Sequence, residues 1–189
     1  MVHLQYAAPV ARCIAPSPAG RPTPSGAQYF AQFAEKVKRS AGIVLYRHRE
    51  GAWQVLLLHM GGPLWARKDA GAWTIPKGEY PPEEDPLTAA RREFLEETGA
   101  AVDGTFQPLE PIRQRNGKQV TAWAVEGDFD PAQLRSNLFS MEWPPRSGRM
   151  QEFPEADRAA WYTLSDARER MPAGQAALLD HLKAHLNGR

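Results

Sequence analysis

The chain has 189 residues and a formal net charge of +1, from 23 lysines and arginines against 22 aspartates and glutamates. This length fits one domain with a sizeable core, and the charge balance gives no overall attraction to nucleic acid or to acidic membranes. No apolar run is long enough to span a membrane, and the N-terminal stretch lacks the basic and apolar regions of a signal peptide. The single Cys13 excludes an internal disulfide framework. We expect a cytoplasmic protein without a nucleic acid or membrane partner.

Residues 1–39 are predicted to form a proline-rich extension. Five prolines lie among alanine, serine and glycine between positions 7 and 26, which is typical of an extended or mobile arm. Phe30, Phe33 and Val37 recur at helical spacing and predict a short amphipathic helix over 28–37. A disordered extension or a misassigned start codon is the alternative. The domain itself is predicted over 40–189.

Alternating β and α patterns open the domain. The β-rich runs at 41–46 and 53–59, joined by a turn with Gly51, predict a β-hairpin. The run Gly61-Gly62-Pro63 ends the second strand, and 73–75 is a predicted short strand. A helix is then predicted over 86–98, because Asp85 and Pro86 favour a helix start and Gly99 favours a helix end.

The second half of the domain continues this alternation. The runs 107–115 and 119–128 flank Asn116-Gly117, which predicts a type I′ hairpin. The remaining predicted elements are a loop over 130–154, a strand over 161–164, a helix over 166–171 capped by Ser165, and a terminal helix over 175–186 that buries Leu178, Leu179, Leu182 and Leu186. The alternation predicts an α/β domain.

Three glutamates share one face of the helix predicted over 86–98. Glu93, Glu96 and Glu97 stand at i, i+3 and i+4, and Arg92 alone does not neutralise them. A hard cation with oxygen ligands would, and Mg2+ suits such a face because it takes carboxylates, water and substrate phosphate. The alternative is a solvated acidic face on a surface helix.

The spacing of this segment resembles the Nudix box, GX5EX7REUXEEXGU, where U is a bulky aliphatic residue. Gly78, Glu84 and the run REFLEETGA at 92–100 match every fixed position, while Phe94 and Ala100 deviate mildly at the U positions. The resemblance implies the Nudix fold, an α/β/α sandwich with a mixed β-sheet in which the box forms a loop–helix–loop. It also implies a pyrophosphohydrolase that uses Mg2+ or Mn2+.

The resemblance assigns roles to the box residues. Glu93, Glu96 and Glu97 are the expected metal ligands, joined by the backbone carbonyl of Lys77, which precedes the box glycine. Arg92 and Glu84 are expected to orient these ligands, with a surface salt bridge as the alternative. The three helix glutamates titrate as a coupled set, so the general base stays open among them.

A further acid is expected outside the box. In several Nudix enzymes a catalytic or metal-binding glutamate lies six residues before a tryptophan that starts the last strand. Glu155 has this spacing to Trp161, and Glu152 does not. Glu155 is therefore the first choice and Glu152 the second. Both are otherwise solvated loop charges.

The substrate is expected to be a small nucleotide. Pro76-Lys77-Gly78 resembles a stretch of diadenosine tetraphosphate hydrolases, which implies a dinucleoside polyphosphate. The candidate substrate-binding residues are lysines and arginines that would contact the phosphates and loop tryptophans that would stack on a nucleobase: Lys77, Arg47, Arg67, Lys68, Trp65 and Trp143. Ordinary surface bases and core aromatics are the alternatives.

Two other functions stay open. The first is pyrophosphohydrolysis of a nucleoside triphosphate, including an oxidised one. The second, of another class, is a non-catalytic Nudix-like nucleotide-binding module, which loss of the box glutamates would indicate; here they are intact. A local basic patch could also bind a capped RNA end.

Overall fold

The computed structural model describes residues 38–188, and the helix predicted over 28–37 lies outside them. Within this part of the chain there are ten strands: β1 Arg39–Arg49, β2 Ala52–Met60, β3 Trp73–Thr74, β4 Lys77–Glu79, β5 Gln107–Pro108, β6 Ile112–Arg113, β7 Gln119–Glu126, β8 Leu138–Glu142, β9 Met150–Pro154 and β10 Ala156–Thr163. The same part contains three α-helices: α1 Pro86–Thr98, α2 Leu164–Arg170 and α3 Ala177–Asn187. Two short 3-10 turns cover Pro131–Gln133 and Ala173–Gln175.

The main sheet is mixed, as predicted. Its order is β10-β2-β1-β7-β5, with β3, β4 and β6 paired alongside β2, β1 and β7. The central strand β1 runs antiparallel to β2 and parallel to β7. The hairpin β8–β9 forms a separate two-stranded sheet.

Helices cover both faces of the sheet. Successive side chains of a strand point to opposite faces, so Ile43 and Leu45 of β1 pack with Phe94 of α1. Val44 and Tyr46 pack in the second core with residues of α2 and α3. In α3 the four leucines predicted to face inward are all buried, and each stabilises the fold by about 1.5–3 kcal/mol. The α/β/α layering therefore follows from a central strand that is apolar on both faces.

Helix α1 has the predicted bounds. The side chain of Asp85 accepts a hydrogen bond of 2.9 Å from the amide of Thr88, and Pro86 is the first helical residue. Gly99 has a φ of 78°, and its amide donates to the carbonyl of Leu95 at 2.8 Å. These caps satisfy backbone groups that a helix end leaves without partners.

The type I′ turn lies at a different hairpin from the predicted one. Asn116 does not have positive φ; among the non-glycine residues described, only Glu50 and Arg146 do. Glu50 and Gly51 have φ of 54° and 77°, as a type I′ turn between β1 and β2 requires. At the other hairpin Gly117 alone is left-handed, and its amide donates to Gln114 at 2.9 Å, a turn followed by a bulge.

Four other predicted elements differ from the structure. The strand over 107–115 is split into β5 and β6, since Pro108 and Pro111 lack the amide that a ladder needs. The loop over 130–154 contains the hairpin β8–β9, and the strand over 161–164 is the end of the longer β10. The cap of α2 is Thr163 instead of Ser165, because the Thr163 hydroxyl accepts from the Asp166 amide at 3.2 Å.

Candidate active site

The box glycine lies against the central strand. Strand β4 pairs with β1 so that Gly78 stands opposite Ala41 and Lys77 opposite Gly42. A Cβ on Gly78 would lie 1.8 Å from Oε2 of Glu93. The sequence needs glycine here because the Glu93 carboxylate occupies the space of a side chain.

Arg92 connects three carboxylates of the box. Its Nε and Nη2 donate to the two oxygens of Glu84 at 3.0 and 3.1 Å, a bidentate pair. Its Nη1 donates to Glu93 at 2.7 Å and to Glu96 at 3.1 Å. These bonds, led by those to Glu84, raise the pKa of Arg92 above its ordinary value. Arg92 thus bonds three acids of the box at once, and the orienting role of Arg92 and Glu84 stays a prediction.

Burial governs the ionisation of the remaining box residues. It raises the pKa of Glu97 to about 7, against the opposing effect of the Lys77 charge. The Glu97 carboxylate also accepts a 3.0 Å hydrogen bond from the amide of Lys77. Burial likewise raises the pKa of Glu93 and lowers the pKa of the Lys77 ammonium. The helix thus holds two carboxyl groups whose ionisation a nearby cation would favour.

The donor chemistry of this face fits a hard divalent cation. Glu93, Glu96, Glu97 and the Lys77 carbonyl offer oxygen atoms only, the donor type of Mg2+ and Mn2+. Within residues 38–188, no three or more His, Cys, Asp and Glu side chains are already gathered as a metal cluster. Arg92 instead holds Glu93 and Glu96, and the Lys77 amide holds Glu97. Metal binding would therefore compete with bonds inside the protein.

Glu155 lies in the corner between β9 and β10, beside the box glutamates. Its charge contributes to the raised pKa of both Glu93 and Glu97. Its amide donates to Asn137 at 2.9 Å, and its carbonyl accepts from Gly61 at 2.8 Å. Glu152 lies within β9, opposite Ser140 of β8. The charge of Glu155 therefore acts on the box glutamates, and its role as the loop acid stays a prediction.

The predicted substrate-binding residues do not all lie at the box. Lys77 adjoins Glu97, but Arg47 lies six residues along β1 from Ala41, roughly 20 Å away. The Arg47 guanidinium bonds Gln54 and Asp128 and stacks over Trp161, 4.1 Å from the ring centroid. These protein contacts, which sequence spacing does not reveal, occupy Arg47.

The other predicted substrate contacts lie on two loops. Trp65, Arg67 and Lys68 share the loop after β2, where the Lys68 ammonium stacks 4.5 Å from the Trp65 centroid and Arg67 is exposed. Trp143 lies at the far end of the hairpin β8–β9, where its amide donates to Arg149 at 2.9 Å. The structure thus places these residues on two separate segments, and their role in substrate binding stays a prediction.

His59 is a buried polar residue that the sequence interpretation missed. Its side chain is fully buried, with Nδ1 2.6 Å from Asp157 and Nε2 2.8 Å from the carbonyl of Lys68. It thereby ties the loop after β2 to β10, two residues from Glu155. The available signal is a histidine inside the otherwise apolar strand run VLLLHM at 55–60.

The metal-free protein is expected to lose stability as pH rises from 4.5 through about 7. The pKa of Glu97 is about 7 in the fold against an ordinary value of 4.5, so the folded state favours the protonated carboxyl. This stabilisation is complete below pH 4.5 and is lost as pH rises through the folded pKa, a difference of about 3 kcal/mol. Urea unfolding in EDTA at several pH values measures it, with Glu97→Gln as the variant that should flatten the profile. An equally steep profile in that variant would assign the effect elsewhere.

The fold and the box geometry agree with a family comparison. The family model described as NUDIX domain matches residues 36–182. This chain belongs to the Nudix family. The family resemblance and the fold predicted from the sequence are confirmed. Nudix proteins generally use divalent metal ions such as Mg2+. None of the helices in residues 38–188 is long and apolar enough to cross a membrane.

Individual Nudix relatives include hydrolases. An RNA pyrophosphohydrolase of Bartonella henselae is 35% identical over 66 residues. The match covers 33% of this chain and 35% of the length of that protein. A C. elegans Ap4A hydrolase, in a binary complex, is similar with a TM-score of 0.58 and 26% identity over 79% of this chain and 99% of that chain. The NUDIX domain of Shewanella oneidensis NrtR, complexed with ADP ribose, has a TM-score of 0.56 over 86% of this chain and 99% of that chain, and its 15% identity shows the fold alone. The two hydrolases agree with the predicted enzyme class, a Nudix-type pyrophosphohydrolase.

Proposed function

We propose that this Nudix protein hydrolyses a pyrophosphate bond of a dinucleoside polyphosphate with Mg2+ or Mn2+. The observation that carries the proposal is the pair of carboxyls of the buried Glu93 and the half-buried Glu97, held beside Lys77 and Glu155. Burying carboxylates together is unfavourable. A divalent cation bound between these carboxylates would offset their repulsion and could also bind a polyphosphate.

Each box residue has a distinct task in this proposal. Glu93, Glu96, Glu97 and the Lys77 carbonyl would hold the metal. A bound divalent cation supplies neutralisation of phosphate oxygens and a water of lowered pKa. Arg92 fixes the rotamers of Glu93 and Glu96 through its Nη1, while Glu84 holds the other edge of the guanidinium. Glu155 presents a carboxylate that can take a proton from the attacking water.

The choice of substrate rests on two observations. The similarity to a C. elegans Ap4A hydrolase covers 99% of that chain at 26% identity. The Lys77 ammonium lies near Glu93 and Glu97, whose charges raise its pKa against the larger lowering effect of burial, and in this proposal it meets a phosphate held beside them. A dinucleoside polyphosphate agrees with both observations, because it is the class of substrate in the name of that relative and carries several phosphates.

A second substrate is favoured by one relative. The match to a Bartonella henselae RNA pyrophosphohydrolase favours the 5′-triphosphate end of an RNA. The bond broken is of the same kind, but the products differ. A dinucleoside polyphosphate gives two nucleotides, and a triphosphorylated RNA gives a shortened 5′ phosphate.

A chromatographic screen tests the proposed function. Diadenosine tetraphosphate, nucleoside triphosphates and a short 5′-triphosphorylated RNA would each be incubated with the protein and Mg2+ or EDTA. We expect Mg2+-dependent cleavage, fastest for the dinucleotide. Glu96→Gln should lose it, and Glu83→Gln, an exposed acid outside the proposed machinery, should keep it. Absence of metal-dependent turnover on every substrate would contradict the proposal and favour a nucleotide-binding module.

A further inference from the structure

A short segment connects the end of α1 to the corner that carries Glu155. We call residues 135–137 the strap. The amide of Arg135 donates to the carbonyl of Thr98 at 3.0 Å, and the amide of Asn137 donates to the carbonyl of Glu96 at 3.1 Å. Gly99 allows this approach, because a Cβ there would lie 2.8 Å from Cβ of Arg135. Carbonyls at the C-terminal end of a helix lack donors within the helix, and the strap supplies two amide donors for them.

The same strap bonds the strand corner on its other side. The carbonyl of Asn137 accepts from the Glu155 amide at 2.9 Å. The hydroxyl of Ser136 accepts from the Ala156 amide at 3.0 Å and donates to the Asn137 carbonyl at 3.3 Å. Ala156 is 5% exposed, so water is a poor substitute for this acceptor. Two main-chain bonds thus lead from the carbonyl of Glu96, through Asn137, to the amide of Glu155.

We propose that Ser136 is a positioning residue that fixes the β9–β10 corner against α1 and so holds the Glu155 carboxylate beside Glu93 and Glu97. The inference rests on the proposed function, in which Glu155 acts on the attacking water. Strand pairing on both sides and the buried histidine contact to β10 also hold the main chain of the corner, but the Glu155 side chain itself is exposed. Ser136 is the one strap side chain that bonds the corner directly.

Loss of the Ser136 hydroxyl should therefore move Glu155 more than it moves the box. The carboxylates of Glu93, Glu96 and Glu97 are held by Arg92 and by the Lys77 amide, and none of these three bonds involves the strap. Small displacements of a reacting group cost about 10²-fold per Å. The hydroxyl does not reach the nucleotide in this proposal, so substrate binding should change little.

Steady-state kinetics on the full chain with diadenosine tetraphosphate test the role. Ser136→Ala should lower kcat about tenfold with KM within about twofold, and Ser136→Thr, which keeps the hydroxyl, should restore kcat. In a Glu155→Gln background, Ser136→Ala should add no further loss, because the group that it positions is gone. An undiminished loss in that background, or a Glu155→Gln enzyme with full turnover, would overturn the proposal.

Amide hydrogen exchange supplies a readout that does not need turnover. The amides of Glu155 and Ala156 should exchange at least about tenfold faster in Ser136→Ala than in the wild type, while those of α1 up to Leu95 keep their protection. The matched control is Thr163→Ala, which removes a hydroxyl-to-amide bond at the other end of β10 and should lower Tm without lowering kcat. If the wild type hydrolyses nothing, the proposed function fails. Unchanged exchange at Glu155 and Ala156 would instead overturn the role of Ser136.

Discussion

Glu97→Gln is expected to lower kcat about 10³-fold, a loss of about 4 kcal/mol of transition-state stabilisation. Desolvation raises the pKa of the Glu97 carboxyl to about 7. Glutamine keeps its size and the oxygen that accepts from the Lys77 amide at 3.0 Å. The variant thus removes a charge and little else, and the lost charge is the one that would bind a cation.

The same change should leave the fold intact or stabilise it. A carboxyl whose folded pKa is raised by burial opposes folding once it is ionised, so at pH 8 in EDTA the neutral amide should be the more stable side chain. In Glu97→Gln we therefore expect kcat to fall while the free energy of unfolding, measured by urea unfolding, stays the same or rises. Glu83→Gln, an exposed neighbour, is the control for loss of a negative charge. A Glu97→Gln enzyme that keeps kcat within tenfold would remove Glu97 from the machinery.

The parts of the site that sequence predicts are those that depend on local geometry. Asp85, Pro86 and Gly99 set the bounds of α1 because caps act within one turn of the chain. Helical spacing alone then places Glu93, Glu96 and Glu97 together. The Arg92 bonds to Glu93 and Glu96 lie within four residues of it and follow from the same spacing.

The parts that sequence does not predict depend on packing between distant segments. Arg47 has a suitable charge but is held by Gln54, Asp128 and Trp161 at the opposite end of β1. The segment that forms the hairpin β8–β9 is predicted as a loop, since its five-residue strands LFSME and MQEFP do not alternate regularly between apolar and polar residues. The hairpin leads into the corner that carries Glu155, and the position of that corner depends on the long-range pairing of β10 with β2.

Gly78 shows how a fixed position of the box acts through space instead of through chemistry. Its φ is not in the left-handed region, so an alanine can adopt the same backbone, but its Cβ would lie 1.8 Å from Oε2 and 2.0 Å from Cδ of Glu93. These atoms are the free end of a flexible side chain. The least costly response is for the Glu93 carboxylate to move away, which also breaks its 2.7 Å bond to Arg92.

We therefore expect Gly78→Ala to lower kcat about 10²-fold, the cost of displacing a reacting group by roughly 1 Å, while Tm changes by only a few degrees. Gly174→Ala is the matched control, because its Cβ would meet only Gln114, at an ordinary 3.9 Å. A double-mutant cycle decides the cause. If alanine at 78 acts by displacing Glu93, then Gly78→Ala should cost almost nothing in a Glu93→Ala background. Losses that simply multiply would show that Gly78 serves the site by another route, through β4 itself or through the carbonyl of Lys77.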